Sequence, residues 1–437
     1  MINILVLGSG GREHALCEHI SSSLLVNDLY CLPGNPGIET IATCLPGNPM
    51  DSVAVVKRAK EYGIGLVVVG PEAPLSVGIG DALEAEGFPV FGPKKAAAQI
   101  ESSKAYAKEI MEAAGVKTAR SVTVTSKEQA LEVLSSWGSD GSVPVVLKAD
   151  GLAEGKGVYV CGSAQDRLDA VESLFASPEG AKVLIEEFIE GHEASFIVCV
   201  DGLDVVPLVP AHDYKRIGEG NVGLNTGGMG TVSPTPYLPD ELTASMVETV
   251  IAPVVAEMSR RGNPFRGFLY AGLMITSSGD VFVLEFNARC GDPETQVIMS
   301  RLRSDLVPTL AALSGVEGYD RRELKPLVWD ERPSLCVVHA SAGYPLTSSK
   351  GDEISGLQQA SAVPNVQILH AATARNATGA ICTNGGRVLN VVGIGTELTD
   401  AREVAYKASG FIKFQGQQFR RDIGASNASP LSMNEEK

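Results

Sequence analysis

The chain has 437 residues, 44% of them apolar and 20% charged, and a formal net charge of −16. That length suits roughly two to four domains, and the composition is that of a soluble globular protein. The acidic balance disfavours nonspecific nucleic-acid binding, which needs Lys and Arg to displace counterions, but leaves room for a local basic pocket; no uninterrupted apolar run reaches bilayer-spanning length.

Met1-Ile2-Asn3-Ile4-Leu5-Val6-Leu7-Gly8 has no basic leader and runs into a glycine turn, so it reads as a first strand rather than a signal peptide. Strands are expected at 2–7, 29–32, 66–69 and 90–91, each followed by Gly or Pro and alternating with helical stretches. This alternation implies a parallel sheet covered on both faces, with ligands beyond the carboxyl ends of its strands. Cys-Leu-Pro-Gly-Asn-Pro occurs at 31–36 and again at 44–49, the second copy read as a loop. A helix is expected from Lys104 to a stop near Gly115. Strands near 121–124, 145–148, 158–160, 183–186 and 194–200, with helices over 126–136 and 164–175, make a small α+β lobe. Residues 205–326 form another α+β unit, with a long helix near 240–261 and strands at 270–275 and 281–286. A last unit spans 334–423, with strands near 334–340, 367–371 and 388–395. The tail from about Gly424 is small and polar and reads as disordered. The cysteines (17, 31, 44, 161, 199, 290, 336, 382) include no CxxC pair, which points to reduced thiols and a cytoplasmic setting. His14, the one histidine beside a glycine turn, is read as structural.

The strand at 281–286 carries the most chemistry. Glu285 and Asn287 alternate onto one side of it, and two hard oxygen ligands there suit a magnesium ion carrying nucleotide phosphates. Arg289 follows two positions on, with a planar fork able to clamp a carboxylate or a phosphate. Taken alone, the segment is equally a strand end with solvated polar residues. Gly8-Ser9-Gly10-Gly11-Arg12-Glu13-His14 follows a strand and opens a helix, a setting for an anion. A dinucleotide fingerprint fails there: its third glycine falls on Glu13, and no acid follows the second strand to hold a ribose. A smaller substrate's phosphate and a plain tight turn remain open. Lys148 ends a strand, and Gly155-Lys156-Gly157 precedes the next, so a glycine-flanked Lys156 could fold over phosphates; the spacing is not that of a P-loop. Glu186, Glu187 and Glu193 could accept from adenine or ribose, with backbone at Phe188 and Ile189 for the other edge of the base; a solvated acidic hairpin is the plainer alternative. Asn225 to Pro234 is a glycine-dense loop whose amides could line an anion pocket, with Asp213, Lys215 and Arg216 upstream; a flexible surface loop is the default for such a stretch.

Gly10-Gly11-Arg12-Glu13-His14-Ala15, Val69-Gly70-Pro71-Glu72-Ala73-Pro74-Leu75, Lys148-Ala149-Asp150-Gly151-Leu152-Ala153, Gly227-Gly228-Met229-Gly230 and Arg289-Cys290-Gly291-Asp292-Pro293-Glu294-Thr295-Gln296 occur in a telling order, continued by Thr383-Asn384-Gly385-Gly386-Arg387-Val388 and Arg421-Asp422-Ile423-Gly424. With them the chain resembles, over about residues 1–424, the phosphoribosylamine–glycine ligase (glycinamide ribonucleotide synthetase) family of ATP-grasp enzymes. Three departures stand out: Glu154 where a small residue is usual, Leu224 for a proline and Cys290 for an aromatic.

The resemblance implies an α/β and α+β multidomain fold: an N-terminal parallel α/β (pre-ATP-grasp) domain at 1–103, a two-lobed ATP-grasp region at 104–326 with its lid lobe about 121–190, a C-terminal α+β domain at 327–424, and a tail at 425–437. It implies ligation of glycine to 5-phosphoribosylamine in purine synthesis, with ATP as co-substrate and Mg2+ or Mn2+ on Glu285 and Asn287. Lys104, Lys148 and Lys156 would neutralise phosphates, while Glu186, Glu187, Phe188, Ile189 and Glu193 would seat adenosine. Arg289, Lys148 and Asp213 are the catalytic candidates, Asp213 near the glycine amine. Gly10 and Gly11 would place the phosphoribosyl group, and Lys215, Gly228, Met229, Gly230, Asp292 and Pro293 join Asp213 and Arg289 as substrate-binding candidates. Small-molecule partners are expected, with no nucleic acid or membrane, in a monomer or weak homodimer. Three rival readings are another ATP-grasp carboxylate–amine ligase, an NAD-linked dehydrogenase and a non-catalytic nucleotide sensor.

Overall fold

The N-terminal sheet has five parallel strands in the order Thr43–Cys44, Val26–Pro33, Ile2–Gly8, Leu66–Val69, Val90–Phe91. The computed structural model describes residues 1–138, 141, 143–151, 157–176 and 182–425; the expectations for Lys156, for Glu154 and for nearly all of the tail lie outside the described residues. Leu66–Val69 is buried at every position, as a central parallel strand covered on both faces must be. The strand order reverses at Ile2–Gly8, so the turn after Gly8 and the loop Gly70–Glu72 meet at the carboxyl ends, the usual ligand crevice of such sheets.

A second sheet is antiparallel, in the order Ser121–Val124, Val183–Glu187, Val145–Ala149, Val158–Cys161. Its own core is closed by Ala130 and Leu134 from the helix Lys127–Ser136 and by Ala170, Val171 and Leu174 from the helix Ala164–Ala176. A third sheet runs Asp204–Pro207, His192–Asp201, Arg266–Ile275, Val281–Asn287. Its ladder sets Glu285 opposite Gly272 and Asn287 opposite Tyr270. A fourth sheet joins His212–Asp213 and Gly230–Ser233 to Ser334–Ala340, Arg387–Ile394 and Val366–His370. Residues far apart in sequence, Asp213 and Arg387, therefore belong to one sheet.

The stretch Asn225–Pro234 is not a free loop. Gly230–Ser233 is a fully buried strand, paired on one edge with Ser334–Ala340 and on the other with His212–Asp213. The helical segment 240–260 also calls for a correction, because by length and composition it is apolar enough to cross a membrane. Met246, Val250, Ile251, Val254, Val255 and Met258 on it are buried in the main core shared with the N-terminal sheet, while Asp240, Glu241 and Glu248 also lie on it.

Candidate active site

The third sheet, the second sheet and the helix Lys104–Ala113 converge on Glu285. Burial would raise its pKa, but Lys215, Lys148, Lys104 and Arg289 together hold it below the ordinary carboxylate value. No hydrogen bond or ion pair to the Glu285 side chain is formed among the described residues, so this ionised carboxylate sits amid cations without being claimed by one. Gly272 on the neighbouring strand leaves room for it: a Cβ there would come within 3.2 Å of Glu285 Cγ. Lys104 Nζ donates to Gly151 O at 2.8 Å, and burial lowers its pKa. Lys148 pairs with Glu186, whose other oxygen lies 2.5 Å from Lys108 Nζ. Lys215 Nζ is 3.0 Å from Glu193; burial would lower its pKa, yet Glu193, Tyr270, Glu285 and Asp213 drive it well up.

Arg289 is held from four directions. Nε donates to Glu72 at 3.2 Å, one terminal nitrogen lies 3.0 Å from Glu101 and 3.3 Å from Asn287 Oδ1, and the other donates to Cys290 O at 3.1 Å. Burial lifts the Glu101 pKa to about 7, with Arg289 pulling against it and Glu72 reinforcing it. Arg12 adds a second guanidinium, on Glu13 at 2.5 Å and Cys290 O at 3.1 Å.

Beside this cluster lie two buried acids, Asp213 and Glu294. Asp213 is 8% exposed and its Oδ1 has no hydrogen-bond partner among the described residues. Burial, then Glu294, pushes its pKa well up against the pull of Lys215 and Arg387. Gly228 (φ +113°) passes so close that a Cβ there would sit 2.6 Å from Asp213 Oδ1 and 2.5 Å from Pro293 Cδ. Ser195 Oγ donates to Glu294 at 2.9 Å and lies 2.9 Å from the Tyr270 hydroxyl. Arg387 reaches over from the fourth sheet to Gly227 O and, at 2.5 Å, to Asp292 O. Lys215 and Arg387 thus act on a buried carboxylate whose Oδ1 has no partner among the described residues.

The phosphoribosylglycinamide synthetase N domain matches residues 2–101, the ATP-grasp (A) domain 102–295 and the C domain 334–426. The chain belongs to this family. The phosphoribosylamine–glycine ligase of Streptomyces coelicolor is 46% identical over 431 residues, 98% of this chain and 100% of that protein. Its counterpart in Haemophilus influenzae is 45% identical, over 97% of this chain and 98% of that protein. The crystal structure of the Thermotoga maritima phosphoribosylamine–glycine ligase superposes with a TM-score of 0.80 at 32% identity, covering 97% of this chain and all (100%) of that one. The biotin carboxylase domain of Hydrogenobacter thermophilus 2-oxoglutarate carboxylase shares the fold alone, with a TM-score of 0.71 at 18% identity over 96% of this chain and 92% of that one. The expected multidomain α/β and α+β architecture with an ATP-grasp centre is the one found.

Against that family background, the structure brings Lys104, Lys148, Lys215, Glu193, Glu285, Asn287, Arg289 and Asp213 into one neighbourhood. Asp292 and Pro293 adjoin it through Arg387 and Gly228. Other candidates are placed differently from the simplest expectation. Glu186 is 2% exposed with its carboxylate turned to two lysines, so it orients cations rather than offering itself to adenosine. Glu187 accepts from Arg120 N at 2.9 Å, and the Phe188 amide from the same strand end donates to Pro144 O at 3.4 Å; Ile189 follows them. The amide-lined anion pocket at Gly227–Gly230 does not hold. Gly227 N donates to Tyr344 Oη, Gly228 N to Thr226 Oγ1 and Met229 N to Tyr214 O, because the loop is stitched into the sheet.

The turn at Gly10 and Gly11 is likewise filled from inside. Glu13 accepts from Gly10 N at 2.6 Å, and a Cβ at Gly10 would meet that carboxylate at 2.8 Å. An acid stands where a dinucleotide site needs glycine. Asn390 and Gln296 cover Gly11. His14 accepts from His370 N at 2.8 Å, tying this helix to the fourth sheet. Glu72, Glu101, Glu294, Tyr270, Ser195, Arg387 and Lys108 were not singled out from sequence. Glu72, Glu294 and Arg387 lie inside the ordered motifs, and Lys108 follows Lys104 by one helical turn; Glu101, Ser195 and Tyr270 carry no comparable signal.

Proposed function

We propose that this chain catalyses ATP-dependent ligation of glycine to 5-phosphoribosylamine, giving glycinamide ribonucleotide, ADP and phosphate in purine synthesis. The observation that carries this reading is the gathering of Lys104, Lys148, Lys215 and Arg289 around ionised Glu285, beside the unpartnered Oδ1 of Asp213. The names of the relatives supply the substrates.

A carboxylate resists amines because its oxide is a poor leaving group. A glycine carboxylate oxygen attacks the γ-phosphorus of ATP, the bond to the bridging oxygen breaks, and ADP leaves with its electron pair. The resulting glycyl phosphate is attacked at its carbonyl carbon by the amine of phosphoribosylamine; phosphate departs and the nitrogen sheds its proton. Such chemistry is mainly positioning and charge neutralisation. Lys104, Lys148 and Lys215 supply positive charge for the phosphates, and Asp213 accepts from the glycine ammonium. Arg289, oriented by Glu72 and Glu101, lies where the carboxylate being phosphorylated gains a cationic neighbour. The phosphoribosyl group is assigned to the side of Gly10, Asp292 and Pro293, with Gly11 behind it, covered by Asn390 and Gln296.

The residues fit a hard divalent cation, magnesium or manganese. Glu285 is ionised and uncommitted, and Asn287 offers an amide oxygen from the same side of the strand. Bound there, such an ion would neutralise nucleotide phosphates.

The test is ADP release with ATP and magnesium, adding glycine, phosphoribosylamine generated in situ, both, or neither. Release that requires both, with glycinamide ribonucleotide formed, is expected. Release driven by another acid or amine would overturn the substrate assignment, and no release from folded protein would overturn the ligase.

A further inference from the structure

Lys108 follows Lys104 by one turn on the helix Lys104–Ala113 and so shares its face. It is 5% exposed, and its ammonium meets Thr118 Oγ1 at 2.6 Å, Ala119 O at 3.0 Å and Glu186 Oε1 at 2.5 Å. Two hydrogen bonds and one ion pair engage this enclosed ammonium from inside the protein, which turns Lys108 away from any substrate. Lys148 differs. Its one partner among the described residues is the other oxygen of Glu186, and its charge also acts on Glu285.

The charge count is the point. One carboxylate between two ammonium groups leaves a surplus of one positive charge. Were Glu186 to face Lys148 alone, the pair would be neutral, and a polyphosphate would have to compete with a buried carboxylate for its lysine. Because Lys108 is enclosed and engaged within the protein, the surplus is expressed at Lys148. The same ammonium also spans a junction. Glu186 belongs to the second sheet, and Thr118 and Ala119 lie in the segment leading into it. Thr118 Oγ1 passes a hydrogen bond on to Val283 O at 2.7 Å, on the strand that ends in Glu285 and Asn287.

We propose that Lys108 is a positioning residue of the nucleotide site: by sharing Glu186 it frees the positive charge of Lys148 for ATP phosphates, and through Thr118 it registers that lysine against the Glu285 strand. The inference rests on the nucleotide half of the proposed function.

The experiment is calorimetric titration of the full chain with MgATP for wild type, Lys108→Met, Lys108→Arg and Lys108→Met with Glu186→Gln, with melting curves and the KM values for ATP and glycine. Lys108→Met should weaken MgATP binding about tenfold, the scale of losing a unit charge roughly 12 Å away at an effective dielectric of about 20. KM for ATP should rise while KM for glycine holds. Lys108→Arg should restore most of the affinity. The double variant should bind better than Lys108→Met, because removing the acid returns the surplus to Lys148. Lys108→Gln serves where Met does not fold, with the same loss expected. Unchanged binding in Lys108→Met or Lys108→Gln, or a double variant weaker than the single one, overturns the proposal. A wild-type chain that binds MgATP but forms no glycinamide ribonucleotide defeats the ligase reading and leaves this test intact, whereas one that binds no MgATP overturns both.

Discussion

Replacing Asp213 by Asn should stabilise the empty protein and weaken glycine binding together. The carboxyl group is 8% exposed, and its Oδ1 lacks a partner among the described residues. Burial and the neighbouring Glu294 both penalise the ionised form of Asp213, and an uncharged amide escapes that penalty. An acid whose folded pKa lies above its unfolded value contributes its full stability below the unfolded pKa and loses it as pH rises toward the folded one. The wild type should therefore fall behind Asp213→Asn as pH climbs above 3.8, with a gap that is larger at neutral pH than in acid. With glycine bound, the same carboxylate gains a cationic donor. A hydrogen bond to a charged group contributes about 1.5–3 kcal/mol, so the Asn variant should raise KM for glycine roughly ten- to 150-fold while KM for ATP changes little. Melting curves in acid and at neutral pH, paired with steady-state ADP release, read both effects. A variant that melts no higher than wild type at neutral pH, or that keeps the wild-type KM for glycine, would refute the reasoning.

Glu285→Ala should abolish turnover and remove the magnesium-dependent part of ATP affinity, while binding in EDTA stays equal or tightens because Lys104, Lys148 and Lys215 lose their nearest acid; calorimetry with and without magnesium checks it, and unchanged magnesium dependence would discard the metal role. Arg289→Lys should lower kcat/KM at least about a hundredfold, on the order of 3 kcal/mol, because a point charge cannot meet Glu72, Glu101, Cys290 O and Asn287 at once and strands a buried acid; near-normal turnover would count against the clamp. Glu101→Gln should flatten the pH dependence of stability. With its pKa raised by burial to about 7, Glu101 adds stability that is full below its unfolded value of 4.5 and is lost as pH rises through about 7. Wild type should thus fall by on the order of 2–3 kcal/mol relative to Gln over that window, and parallel melting curves across it would show that the carboxyl does not titrate there.

What sequence alone could show tracks how each residue acts. Strands such as Leu66–Val69 and Ser121–Val124 carry their signal locally, in apolar runs closed by turn residues, and both appear at the expected bounds. Short strands such as His212–Asp213 and Gly230–Ser233 do not. Two to four residues have no period, and they become strands only when Ser334–Ala340 arrives from a hundred positions downstream to pair with them. Glycine density at 227–230 therefore suggested an anion loop, whereas the glycines serve close approach: Gly228 to Asp213 and Pro293, and Gly230 to Cys336 O.

The same distinction divides the site. Glu285, Asn287, Arg289, Lys104 and Lys148 lie at the ends of elements and point at a common space, so their chemistry can be guessed from residue type and alternation. Glu72, Glu101, Glu186 and Lys108 act on other side chains, and an acid that steadies an arginine is indistinguishable in sequence from one that faces water. Yet these partners decide what the first group can do. Arg289 is one fork with a fixed orientation because two carboxylates from the N-terminal region meet it at 3.2 and 3.0 Å, and Lys148 has charge to offer because Glu186 is shared. If that is right, a chain that kept every residue able to touch ATP but exchanged Glu72, Glu101 and Lys108 for neutral ones should still fold to the same strands and still lose most of its turnover.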